Sequence, residues 1–300
     1  MEPPAKLNLE LTSVAYGSWK VLHNAGRGLI CVGAGFENAG ICNPSRKQVH
    51  TFPHLKFKGS PTVFPRPMYM YGYDHVEDQY KVLAVDHLPG RMEHKIVVLG
   101  GEETWREAPC VTCPHIVCTQ GLYMNGTIYY GAIREKIDTP HISIIVSFDV
   151  RLETFNIINV PSKLVPIGYK SMWNEIWWTK LTDKTLINYG GKIGVVENPR
   201  EGSFRLWVVE DAEKEEWSMN TFHLPVSFDS FDFKVMNTFS TGEICLVPKE
   251  LLDPFCLFYY SLEKKSMRSV TIEGLPISDF KHAQSLSVTV SDHYESLMSL

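Results

Sequence analysis

The sequence predicts an all-β protein: one β-propeller over residues 1–300, of about six four-stranded blades, its ring closed by strands from both ends of the chain. Five segments share one plan, in which an apolar strand runs into a polar or Gly turn and a second strand carries a large aromatic or apolar residue, often closing on Pro. They recur about every 50 to 60 residues, a period that suits a four-stranded blade. Aromatic residues make up 12% of the chain and fit the half-buried surfaces of sheets, while helix signals are sparse.

The five units read ICNPSRKQVHTFP from Ile41, IVVLGGEETWREAP from Ile96, IIVSFDVRLETFNIINVP from Ile144, FRLWVVEDAEKEEWSMNTFHLP from Phe204 and CLFYYSLEKKSMRSVTIEGLP from Cys256. Ahead of each lies another apolar strand pair: RGLICVG from Arg27, MYGYDHVEDQYKVLAV from Met70, GLYMNGTIYYGAI from Gly121, TLINYGGKIGVV from Thr185 and TFSTGEICLV from Thr238. Two hairpins per repeat make one blade. The turns Asn43-Pro44-Ser45, Gly100-Gly101-Glu102, Asp149-Val150-Arg151 and Glu210 to Lys214 carry residues that supply the unusual backbone angles of hairpin tips. The segment DAEKEEW from Asp211 is charged without an apolar stripe, so it is expected as a tip as well.

The end segments LNLELTSVAYGSWKVLHNA from Leu7 and SLSVTVSDHYESLMSL from Ser285 are each too short for a blade. Joined across the ring they supply a sixth and hide two sheet edges. The Pro-rich stretch HLKFKGSPTVFPRPMYM from His54 lies inside the repeat series and reads as a surface loop between blades. A pair of β-sandwiches, the alternative architecture, calls for a linker, and no low-complexity segment supplies one.

Formal net charge is −5 and the Lys and Arg residues are scattered, which leaves no electrostatic footprint for nucleic acid. No apolar run approaches the roughly 20 residues of a membrane span and the start lacks a signal-peptide core, so no membrane partner and a cytoplasmic or nuclear location are expected. Seven cysteines, an odd number in a chain of this size, point to free thiols.

Candidate chemistry is thin. The run from Gly33 to Gly40 has the look of a dinucleotide loop, but Asn38 stands where the motif needs its last Gly and a strand follows in place of a helix. Cys110, Cys113, His115 and Cys118 are zinc-type ligands without the second, distant pair that a structural site draws on. Buried cysteines between blades are the plainer reading. Carboxylate pairs such as Glu102-Glu103 and Glu215-Glu216 fall in tips. No catalytic residue, cofactor or metal ligand is therefore assigned. A propeller hydrolase with acidic groups in its central channel is the alternative of a different class.

The ordered motifs GLICVGAGFENAGICNPSRKQVHTFP, YGYDHVEDQYKVLAV, VVLGGEETWR, MNGTIYYGA, IVSFDVRLETFNII, INYGGKIGVV and LWVVEDAEKEEWS resemble the F-box-associated (type 3) domain of plant F-box proteins, over roughly residues 25–225. The resemblance implies a kelch-like propeller that recruits a target protein for ubiquitination. In that family an N-terminal F-box docks on the Skp adaptor of a cullin ligase. The residues before Gly28 read as strands and lack the F-box pattern, so adaptor docking by this chain alone is not expected.

Contacts with the target protein are expected at aromatic and Met-rich stretches outside the regular units. These are Phe64, Arg66, Met68 and Tyr69 at the end of the Pro-rich loop, and Tyr169, Met172, Trp173 and Trp177 before the fourth repeat. Gly100, Gly101, Trp105, Asp149, Phe155, Trp207 and Trp217 hold repeat-equivalent structural positions, with the three tryptophans packed between blades.

Overall fold

A computed structural model describes residues 20–34, 38–57, 67–86, 92–100, 103–108, 114–134, 142–164, 184–228, 231–238, 242–250 and 253–273. These residues form five antiparallel sheets, four of them meanders in sequence order and the third a meander with one extra strand off its path. Blade 1 is β1 (Lys20–Gly26), β2 (Leu29–Ala34), β3 (Asn38–Asn43) and β4 (Gln48–Thr51). Blade 2 is β5 (Met68–Asp74), β6 (Gln79–Asp86), β7 (Glu93–Val98) and β8 (Arg106–Glu107). Blade 3 contains β9 (His115–Val117), β10 (Leu122–Met124), β11 (Thr127–Arg134), β12 (Ile142–Asp149) and β13 (Phe155–Asn159). Blade 4 is β14 (Lys184–Tyr189), β15 (Lys192–Glu197), β16 (Ser203–Asp211) and β17 (Glu216–His223), and blade 5 is β18 (Phe233–Thr238), β19 (Glu243–Pro248), β20 (Phe255–Ser261) and β21 (Ser266–Ile272).

The first strands meet at the centre of the ring: β1 lies against β5 and β10, β5 against β11, β10 against β14, and β14 against β18. Side-chain hydrogen bonds tie these inner strands to their neighbours. Tyr71 Oη donates to the Leu29 carbonyl at 2.7 Å, Tyr123 Oη to the Tyr73 carbonyl at 2.8 Å, and Thr185 Oγ1 to the Val235 carbonyl at 2.8 Å.

Inner strands such as β5, β6, β15 and β19 are buried along nearly their whole length, so each blade has two faces to bury and the core is divided into seams between blades. Leu29, Ile41, Tyr71 and Val82 fill the seam of blades 1 and 2. Met70, Ile96, Tyr130 and Phe148 fill that of blades 2 and 3. Ile145, Leu186, Val195 and Trp207 lie between blades 3 and 4, and Phe204, Phe233, Leu246 and Tyr260 between blades 4 and 5.

Three expectations are corrected or narrowed. The KVLHNA part of the N-terminal segment, assigned from sequence to a sixth blade, is the inner strand of blade 1. It pairs with β2 across the Arg27-Gly28 turn, both residues at positive φ. The strand RGLICVG needed that hairpin partner, and the adjacent segment supplies it. Met68 and Tyr69 belong to β5 and not to a loop. The first strand of blade 3 is split: Val117 pairs with Ala132 and Leu122 with Tyr129, so the residues between them bulge out of the ladder. Gly131 permits this, because a Cβ there would lie 2.8 Å from the Thr119 side chain whose Oγ1 accepts its N–H. The remainder of the expected sixth blade lies outside the described residues.

Candidate protein-binding surface

In a four-stranded meander the first and third hairpins turn on one face of the ring, and the second hairpin and the connection to the next blade lie on the other. The first face is built by a turn that recurs in every described blade. Asn43, Asp74, Asp149, Asp211 and Ser261 each accept, at a side-chain oxygen, a backbone N–H from two or three residues on. The residue four further along then has positive φ: Lys47, Asp78, Glu153, Glu215 and Lys265. Local hydrogen bonding by short polar side chains fixes each tip without help from the rest of the molecule.

Two of these tips sit side by side across the seam of blades 2 and 3. Lys81 Nζ lies 3.7 Å from Asp74 Oδ2, 2.9 Å from Glu153 Oε1 and 3.4 Å from the Arg151 carbonyl, and so joins both tips. Arg106 Nη2 also reaches Glu153 Oε1. Burial pushes the Asp74 carboxyl up, but the N–H groups of Glu77 and Val76 and the charge of Lys81 outweigh it and hold the group below its ordinary value. Glu153 behaves likewise, with Arg106 and Lys81 outweighing burial. Gly72 lets the blades approach, since a Cβ there would lie 2.5 Å from Val150 Cγ2.

From this fixed base Val76 and Leu152 project with 50% and 67% of their surface exposed. The Arg27 guanidinium stacks 3.9 Å above the Tyr73 ring and carries the surface toward blade 1. Apolar side chains held on rigid, ion-paired tips are chemically suited to meet a protein partner, because little conformational entropy remains to be lost on contact.

The residues singled out from sequence fall elsewhere. Phe64, Arg66, Tyr169, Met172, Trp173 and Trp177 lie outside the described residues. Tyr69 is 4% exposed, and its ring packs on Phe52 and Trp105 in the seam of blades 1 and 2, which withdraws it from any rim. Met68 is half-buried against the core of blades 2 and 3. Trp105 is half-buried and donates Nε1–H to the Pro53 carbonyl at 2.8 Å; Trp207 is buried and bonds Glu197 Oε1 at 3.1 Å; Trp217 packs on the seam of blades 3 and 4. Gly100 takes positive φ in the β7–β8 turn, Gly101 lies outside the described residues, Asp149 fixes its tip, and Phe155 is buried against Phe148. Val76 and Leu152 were missed as single apolar residues within polar turns; the recurring Asx spacing was the signal that could have found them.

No cluster of three metal-ligating side chains is present among the described residues. Cys110 and Cys113 lie outside them, His115 Nε2 contacts Tyr130 Oη at 3.0 Å, and the Cys118 thiol, pushed up to about 12 by burial, donates to the Ile116 carbonyl.

Radial, mostly four-stranded sheets with fixed tips define a β-propeller. A profile of the F-box associated beta propeller domain matches residues 8–294, and the chain belongs to this family. That match reaches well beyond the 25–225 recognised from motifs. The Arabidopsis thaliana protein At3g47150, by name an F-box protein, is 51% identical over 97% of this chain and 72% of its own length. Arabidopsis F-box protein At5g65850 is 33% identical, covering 78% of this chain and 57% of itself, and F-box protein DOR is 34% identical, covering 79% and 57%. The chain thus spans little more than half the length of several F-box proteins that it matches.

Proposed function

We propose that this propeller is a non-catalytic target-recognition module of an SCF-type ubiquitin ligase, and that it holds its target protein on the tip surface of blades 2 and 3. F-box associated propellers are generally non-catalytic, and the match to such proteins supports a recognition role. The observation that carries the choice of surface is the pair Val76 and Leu152, exposed on tips that Lys81 locks together. Docking on a Skp adaptor and ubiquitin transfer are matters for whole F-box proteins, and the proposal concerns the grip alone. A cytoplasmic or nuclear target follows from the same reading.

The proposed ring has six blades. The far face of blade 5 buries Cys245, Val247, Phe255 and Leu257 in a cluster that draws only on blade 5 among the described residues, while the family match runs on to residue 294 and begins at residue 8. Strands from 274–294 and 8–19 are the proposed cover.

The competing surface is the opposite face, where the connections that hold Phe64, Arg66, Tyr169, Met172, Trp173 and Trp177 begin and end. Quantitative affinity enrichment from Arabidopsis extract distinguishes the two. Val76→Glu with Leu152→Glu is expected to lose a set of captured proteins that Trp173→Ala with Trp177→Ala retains. The reverse pattern moves the grip to the other face, and retention by both pairs overturns the proposal.

A further inference from the structure

The seam beneath the tip surface contains a group that the recognition role does not use. His94, on β7, is 3% exposed and His115, on β9, is 2% exposed. Their Nε2 atoms lie 3.2 and 3.0 Å from the same oxygen, the hydroxyl of buried Tyr130 on β11, with ring centroids 5.7 Å apart. One hydroxyl serves two neutral rings: it donates to one Nε2 and accepts N–H from the other. His94 Nδ1 is buried without a hydrogen-bond partner, and Phe155 closes over the ring at 4.8 Å between centroids.

Whichever nitrogen of His94 bears the hydrogen of the neutral ring, a second proton would create a buried cation whose Nδ1–H nothing meets, a state that is costly in a low-dielectric seam. The other charged groups on this seam do not relieve it. Lys81 and Arg106 are cations that share Glu153 at the tip end, and Arg134, two residues beyond Ala132 on the same face of β11, is a third cation at the far end. No acidic side chain faces the ring from β6, β9, β11 or β13 among the described residues. Burial, with the adjacent His115, pushes His94 down to about 3 from an ordinary 6.5.

We infer that the seam between blades 2 and 3 is a proton-sensitive joint: uptake of a proton by His94 requires the blades to part, and parting releases the two tips that present Val76 and Leu152. The joint follows from the fold alone; only its effect on target binding rests on the recognition reading above. The sign is fixed by linkage. The neutral ring is the folded form, so the joint is fully closed above pH 6.5 and opens progressively as pH falls below it, by up to about tenfold in open population per pH unit.

Amide hydrogen exchange by mass spectrometry at pH 7.5 and 5.5, corrected for intrinsic exchange, tests this. Peptides covering 70–85 and 142–158 are expected to lose up to about tenfold in protection, all of it below pH 6.5, while those of blade 5 hold theirs; His94→Phe, which removes the titrating ring beside Phe155, is expected to abolish the difference. Equal pH dependence in wild type and His94→Phe overturns the joint. Should that variant not fold, the His94 ring followed by NMR in the wild type decides: a ring that titrates near 6.5 with exchange unchanged is the overturning result. A seam that ignores pH leaves enrichment at pH 7.5 untouched, so the two proposals fail separately.

Discussion

The indole N–H of Trp217 donates to the carbonyl of Asn159 at 3.2 Å, so the outer strand of blade 4 is latched to the end of the outer strand of blade 3. Trp105 makes the same latch from blade 2 to the Pro53 carbonyl just past blade 1. Trp207, by contrast, is a core residue at 6% exposure. Trp207→Ala is expected to cost about 3–5 kcal/mol, and Trp217→Phe, which keeps a ring and loses the latch, about 1 kcal/mol. Urea denaturation orders the two.

Gly72→Ala places a methyl 2.5 Å from Val150 Cγ2 at the blade 2 and 3 seam. A loss of about 1–3 kcal/mol is expected, as for overpacking of a tight core. Val150→Ala on its own destabilises, yet added to Gly72→Ala it should restore part of the loss. A double-mutant cycle with a favourable coupling of about 0.5 kcal/mol or more is the expected result.

Lys265 holds a φ of 50°, a conformation that costs an L-residue energy and Gly almost none. Its side chain takes part in no described hydrogen bond or ion pair that would oppose the exchange. Lys265→Gly should stabilise the chain by about 0.5–1 kcal/mol, read as a raised midpoint of unfolding with an unchanged slope.

Lys81→Met removes the cation between two carboxylates, of which Asp74 is fully buried at its side chain. At pH 7 the loss is expected to be about 3–5 kcal/mol, the cost of stranding a buried charge. Asp74 and Glu153 both titrate below their ordinary 3.8 and 4.5 when folded, so their contribution is complete above those values and is lost as pH falls through the lower folded ones. The deficit of the variant should therefore shrink below about pH 4.5, measured by unfolding across pH.

Hairpins were legible in the sequence because both of their causes are local: apolar runs that form strands and polar residues at a turn. Blades 2, 3 and 4 follow from pairing neighbouring hairpins, and even the charged run from Asp211 is the tip that its lack of an apolar stripe implied. Seams were not legible. Tyr71 meets Leu29 and Lys81 meets Glu153 across 42 and 72 residues of chain, and nothing in the spacing announces either contact. For the same reason Tyr69, an aromatic residue next to a Pro-rich stretch, reads as a rim contact although blade 1 claims its ring. The inner strand of blade 1 went to the wrong sheet because a weak strand near a terminus can be paired on paper with either neighbour.

The recurring turn separates two duties within a few residues. One short polar side chain and one left-handed residue set the backbone of each tip, from Asn43 and Lys47 to Ser261 and Lys265. What stands between them differs in every blade, from Pro44-Ser45-Arg46 and His75-Val76-Glu77 to Leu262-Glu263-Lys264. Such a ring is a set of interchangeable heads on a common handle: the side chains between the two can be exchanged wholesale with no strand having to relearn its register.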